Sequence, residues 1–256
     1  MSAWRFQPAA LLVLLIGLAT TAWAHDEPAA EEDPGPWSGN VGLGYLSSSG
    51  NTEDTSTTFN FLVAYTAGAW IHSLDGRAYG ARSTNDLGVD ETTAESYQLG
   101  WKSSYDIDDR NYLFGKLDWN KDRFASYVEQ TFETVGYGRR ILDDGTFVLN
   151  AEIGAGFAQQ ELAEPCPNGE CDEDGAVVTF GGDFLWNINE NVTFGQDLDI
   201  FAASDNTYWE TVTSIRAGLI GNVGLIASYT IKANTDAPAG RDKRDTYTAI
   251  TLDYAF

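Results

Sequence analysis

Histidine is almost missing from this chain. Two occur in 256 residues, His25 and His72, so chemistry that holds a histidine beside a nucleophile has little to work with. Cysteine is as scarce, with only Cys166 and Cys171. Two thiols supply half of a tetrahedral zinc site, and neither histidine lies near them in sequence. Basic residues are few, 15 against 38 acidic ones for a formal net charge of −23. Nothing here can neutralise a row of phosphates, so no nucleic-acid partner is expected. The chain has no Gly-x-Ser-x-Gly elbow, no His-Glu-x-x-His and no phosphate-cradling glycine loop. The apolar run Ala9 to Leu18 falls short of the roughly 20 residues that a membrane helix needs. These absences leave a chain for which no catalysis, metal or cofactor is expected.

What is present begins with a leader. Arg5 supplies a positive flank, Ala9 to Leu18 the apolar stretch, and Ala22-Trp23-Ala24 a small-x-small cleavage site before His25. Residues 1 to 24 therefore read as a secretory signal, and their removal takes away a base and no acid. Residues 25 to 36 are acidic, proline-punctuated and aperiodic, which reads as a disordered tether, or less simply as a plug folded into a lumen.

From Trp37 to Phe256 one theme repeats: residues alternate apolar and small or polar, and turn residues split the segments. The period of two is that of a strand with one apolar face. Trp37, Gly39, Val41, Leu43 and Tyr45 line the first, and Thr57, Phe59, Phe61, Val63 and Tyr65 the second. Counting onward gives twelve segments, the sixth, around Tyr127 to Arg139, without readable faces. The last is the clearest. Ile250, Leu252, Tyr254 and Phe256 share one side, so the chain stops on an apolar, aromatic edge. A free edge of that kind invites aggregation, whereas a barrel closes its last strand onto its first. These four residues also match the assembly signal that bacterial outer-membrane barrels present to the barrel-assembly machinery.

The connections support closure. Ala67-Gly68, Asp106 to Asp109, Leu142 to Gly145, Asn187 to Asn191 and Ile220 to Asn222 are short turns. The alternate connections are mostly longer, with Ser83 to Glu91, Glu161 to Asp174 and Asn234 to Lys243 the longest. Short periplasmic turns and longer outer loops are the asymmetry of an outer-membrane barrel. Trp37, Trp70, Trp101, Trp119, Trp186 and Trp209 fall near segment ends, where indole rings suit a water–lipid boundary. The expected fold is all-β: a transmembrane up-and-down antiparallel barrel of twelve strands, in the outer membrane of a bacterial cell, contacting lipid and lipopolysaccharide.

The face away from lipid collects the charge: Arg77, Lys102, Lys116, Asp118, Glu152, Asp183, Asp197, Asp199, Arg216 and Asp253. Leu62, Phe201 and Tyr247 point the same way and narrow the lumen. Lumenal acids either set ion preference or pair with the bases and close the passage. Asp197 and Asp199 form a carboxylate pair that acid–base chemistry could use, but lumen charge is the simpler account. Cys166 and Cys171, in an exported chain, favour a local disulfide over a zinc half-site. Asp172-Glu173-Asp174-Gly175 lacks the distal Glu of a calcium hand and reads as an acidic loop.

Trp37-Ser-Gly-Asn-Val-Gly-Leu-Gly, followed by Ser49-Gly50-Asn51-Thr52, Asp122-Arg123-Phe124 and Gly136-Tyr137-Gly138-Arg139-Arg140, resembles the YdiY-like outer-membrane proteins. That family is catalogued as domain of unknown function 481 and described as salt-stress-induced. The likeness spans about Trp37 to Phe256; the acidic tether and the cysteine loop are not part of the pattern. The resemblance implies an outer-membrane barrel and no established substrate. Two functions stand: a narrow passive pore for ions or small solutes, linked to salt or envelope stress, and a largely closed barrel with a structural or surface-contact role.

Overall fold

The computed structural model describes residues 35–48, 53–84, 89–164, 166, 169–237 and 240–256. The leader, the tether as far as residue 34 and the Ser49 to Thr52 motif lie outside them. Twelve strands follow in order: β1 (Trp37–Ser48), β2 (Glu53–Ala67), β3 (Trp70–Thr84), β4 (Asp90–Asp106), β5 (Asn111–Asp122) and β6 (Tyr127–Asp143) come first. β7 (Phe147–Leu162), β8 (Asp172–Asn189), β9 (Val192–Ala202), β10 (Thr207–Ile220), β11 (Val223–Asn234) and β12 (Arg244–Ala255) complete the wall. Each strand pairs antiparallel with its neighbours in sequence, and β12 returns to β1, so the sheet is a closed barrel. Closure follows from the pattern, because an open edge at membrane depth would leave backbone groups without partners.

The two ends differ as the loop lengths predict. At one end the strands are joined by Gly68-Ala69, Ile107 to Arg110, Asp144 to Thr146, Glu190-Asn191 and Gly221-Asn222. Gly68 and Gly221 have φ of 60° and 53°, the left-handed backbone that tight hairpins require. In the Ile107 to Arg110 turn, the side chain of Asn111 and the backbone N–H of Arg110 donate to Asp108 and hold its carboxyl below the usual range. The longest connections at the other end, 163–171 and 235–243, are shorter than the sequence implies, because the strands continue beyond the depth a membrane needs. Asp172-Glu173-Asp174-Gly175 accordingly opens β8 rather than lying in a loop, with Glu173 accepting from the Tyr127 hydroxyl at 3.0 Å.

The wall is apolar outside and polar within. Leu43, Leu113, Ile153, Ile215 and Leu252 are exposed on the outer face. β6 explains its own illegibility: Phe132 faces inward and is 1% exposed, while Val135 faces outward at 68% together with the charged Glu133. Each face of that strand thus mixes polarities, which defeats a reading by alternation. Trp37 and Trp70 open β1 and β3 at the short-turn end. Trp101 stands further along its strand, paired with Leu117 and Leu74 within the wall.

Candidate functional site in the barrel lumen

All ten charged residues of the alternating inner face project into the lumen, and pairing organises most of them. Near the short-turn end Arg216 Nε donates to Asp253 Oδ2 at 2.9 Å, and Asn40 Nδ2 donates to the other oxygen at 2.8 Å. Asp253 is 1% exposed, so β10, β12 and β1 are tied through one buried carboxylate. Lys102 pairs with Glu152, which also accepts from the Tyr112 hydroxyl at 2.7 Å and links β4, β5 and β7. Asp183 accepts from Asn150 at 2.7 Å.

Further in, Lys116 sits 3.0 Å from Asp199 and 3.4 Å from Asp118. They border a cavity of about 390 Å³ that Asp75, Arg77, Asp197 and Glu210 also line. The Asp75 carboxylate lies over Gly100, filling the space a β-carbon would need. Among the described residues neither Asp75 nor Asp197 makes a side-chain hydrogen bond or ion pair. The cavity therefore carries more negative charge than its bases offset.

Above it the lumen is crossed. Arg77 Nη2 on β3 donates to Glu210 Oε1 on β10 at 2.6 Å, and Gln98 and the Tyr208 hydroxyl donate to Oε2 at 2.6 and 2.8 Å. Glu210 is 7% exposed, a carboxylate with both oxygens occupied. One level higher Lys232 donates to Ser96 at 3.1 Å and the Tyr247 hydroxyl to Asp122, again from opposite sides of the wall. Phe132 stacks on Phe201 at 4.1 Å and on Tyr208 at 5.7 Å, filling the β6–β10 side of the same level. At the long-loop mouth Asn206 donates to Asn234 at 2.7 Å and Gln130 to Asn234 at 3.3 Å.

Leu62, Phe201 and Tyr247 narrow the passage from the positions that alternation assigns. Glu210, Asp75, Lys232 and Asp122 were missed by sequence reasoning, although a signal existed. Each shares its parity with a recognised inward residue of its strand or lies opposite an outward apolar run, as Lys232 does beside Tyr229 and Ile231. Extending the period to the strand ends would have found them.

His72 lies on the outer face of β3, stacked on Trp70 with ring centroids 5.8 Å apart, and its Nδ1 is 2.8 Å from Ser103 Oγ. Among the described residues no carboxylate orients that imidazole, so the pair lacks the third group of a hydrolytic triad. Cys166 and Cys171 are joined as a disulfide in the β7–β8 connection. Thiol reagents applied to intact cells should label these cysteines only after reduction, and labelling without reductant would mean an open dithiol.

The family described as "Protein of unknown function, DUF481" matches residues 41–256. The chain belongs to this family. A relative among curated proteins is "Uncharacterized protein YdiY" of Escherichia coli (strain K12), 28% identical over 231 residues, which cover 90% of this chain and 86% of the relative. Among solved structures the NanC porin superposes with a TM-score of 0.51 at 13% identity, covering 86% of this chain and 98% of the porin. The family thus takes, in this member, the fold of an outer-membrane barrel.

Proposed function

We propose that this chain resides in the bacterial outer membrane as a narrow barrel that passes only small ions, cations ahead of anions, and that rests largely closed. The observation that carries the reading is the Arg77–Glu210 bridge across the lumen, set above an acid-rich cavity. A bridge at that level obstructs the passage from β3 to β10. The cavity acids Asp75, Asp118, Asp197, Asp199 and Glu210 outnumber Arg77 and Lys116, and a low-dielectric passage focuses such a field toward cations. The proposal assigns no reaction, metal or cofactor to the chain. A role under salt or envelope stress fits this chemistry, since a leak restricted to small cations responds to external ionic strength. The closed, structural alternative is favoured by the second tier of contacts at Lys232–Ser96 and Tyr247–Asp122.

Current through the refolded full-length protein in a planar bilayer tests the reading. Small conductance with a reversal potential on the cation side of a salt gradient is expected. Replacing Asp197 and Asp199 by Asn should move that potential toward zero, the second change also freeing Lys116 from its closest partner. Anion preference would overturn the cation preference, and strictly zero current would leave the closed barrel.

A further inference from the structure

The wall is not sealed to the same height all the way round. β1 pairs with β2 at twelve positions, Trp37 with Tyr65 through Ser48 with Asp54. Its pairing with β12 spans four, Asn40 with Ala255 through Leu43 with Leu252, plus the reciprocal hydrogen bonds of Gly39 and Phe256. Both strands continue beyond that point, β1 to Ser48 and β12 back to Arg244, without a shared register. A β-carbon on Gly44 would run into the Ile250 carbonyl, so the two strands still lie close there, and it is at this level that their shared register ends.

The height of this gap matters. Trp37 stands at the lower boundary of the wall, and strands tilted by about 40° rise roughly 2.6 Å per residue along the barrel axis. Gly44 to Leu46 therefore lie roughly 18 to 24 Å above Trp37, within the upper half of an apolar band about 25 Å tall. Backbone groups facing hydrocarbon without partners are costly there, so an unsealed edge at that depth calls for something to cover it. Beside it on the β1 side, at the long-loop end, is a recess of about 550 Å³ lined by β1 to β4. Leu46, Tyr79 and Ala81 give it an apolar side, and Ser56, Ser83, Arg82 and Asp54 a polar one that carries both signs of charge. Leu43, Tyr45, Ile250 and Leu252 flank the gap from outside, all exposed. Below the recess the edge-on pair Tyr79–Tyr247, 5.1 Å apart, separates it from the level of the Arg77–Glu210 bridge.

We propose that the upper β1–β12 seam is a lateral opening that admits an acyl-chain amphiphile from the outer leaflet. The chain lies along Tyr45, Leu46 and Tyr79, and the polar head reaches Ser56, Ser83 and Arg82. This rests on the membrane location proposed above but not on ion conduction, because the recess and the cavity under the Arg77–Glu210 bridge have no lining residue in common. No bond is made or broken; the seam binds and passes.

The test uses the full-length protein in outer-membrane vesicles with a diazirine-bearing fatty acid as probe. Illumination should place adducts on outward wall residues such as Leu225 and also on inward Tyr79. A variant carries Leu46→Cys and Ala249→Cys, positions that would face each other if the ladder continued in register. Oxidation should abolish the Tyr79 adduct and reduction restore it, while the wild type shows no redox effect. In the wild type, the amides of Tyr45 and Ser47 should exchange faster than those of Val41 and Leu43, a readout that needs no variant to fold. Tyr79 adducts unaffected by the oxidised lock, or adducts confined to the outer wall, overturn the opening. So does slow exchange at Tyr45 and Ser47, or a disulfide-linked dimer of the single Leu46→Cys chain, which would make the seam a site for a second copy. Absence of adducts even at Leu225 would instead overturn the membrane location.

Discussion

Replacing Arg77 and Glu210 together by Ala should raise the bilayer conductance well above the near-closed level of the native chain. The pair meets at 2.6 Å across the lumen, so removing both side chains clears the bar without leaving a charge behind. Glu210→Ala alone should behave differently. It strands the Arg77 guanidinium and takes the acceptor from the Tyr208 hydroxyl, while Gln98 keeps Asn120. Leaving buried polar groups unpaired costs about 1–3 kcal/mol, and the lower end applies because the Arg77 side chain is 38% exposed to lumen water. The single variant should therefore melt earlier than the double one. A third variant, Arg77→Met with Glu210→Met, keeps the bulk while deleting the charge, and should remain poorly conducting. If the double Ala variant conducts no better than the native chain, the bar lies elsewhere, with Tyr247–Asp122 the next level to remove.

Deleting Phe256 should abolish most of the folded, heat-modifiable species and strip the protein from the outer-membrane fraction while export continues. The last residue is where the barrel closes. Phe256 N–H donates to the Gly39 carbonyl and Gly39 N–H to the Phe256 carbonyl, both at 2.9 Å. Two hydrogen bonds contribute about 2 kcal/mol, from the seam that has the fewest to lose. The ring also lies over Gly39, where a β-carbon would strike both it and the Leu62 carbonyl. Gly39→Val should therefore reproduce the defect from the opposite strand with the carboxy-terminus intact. Normal folding of both variants would mean that β12 is held by β11 alone, through the eleven-position register from Val223–Tyr254 to Ala233–Arg244.

The sequence by itself determined the strand count, the closed antiparallel barrel, the sorting of turns and loops, and the facing of the ten inner charges. The reason is locality: a side chain's face in a strand depends only on its parity, and a turn on its own few residues. Where locality failed, legibility failed with it. β6 could not be read because Phe132 belongs to an aromatic stack completed by Phe201 and Tyr208, residues from β9 and β10. Which inner charge meets which was decided only by the tertiary structure. Arg77 and Glu210 are 133 residues apart in sequence, and their meeting depends on the stagger that accumulates strand by strand around the wall. The height at which β1 and β12 part is of the same kind. Alternation continues through Tyr45 on one strand and through Thr248 and Ile250 on the other, and the inward Leu46 that interrupts it does not by itself say where the partner leaves. That point is set by the whole circumference, because closure must absorb the summed stagger of eleven other pairings at a single seam.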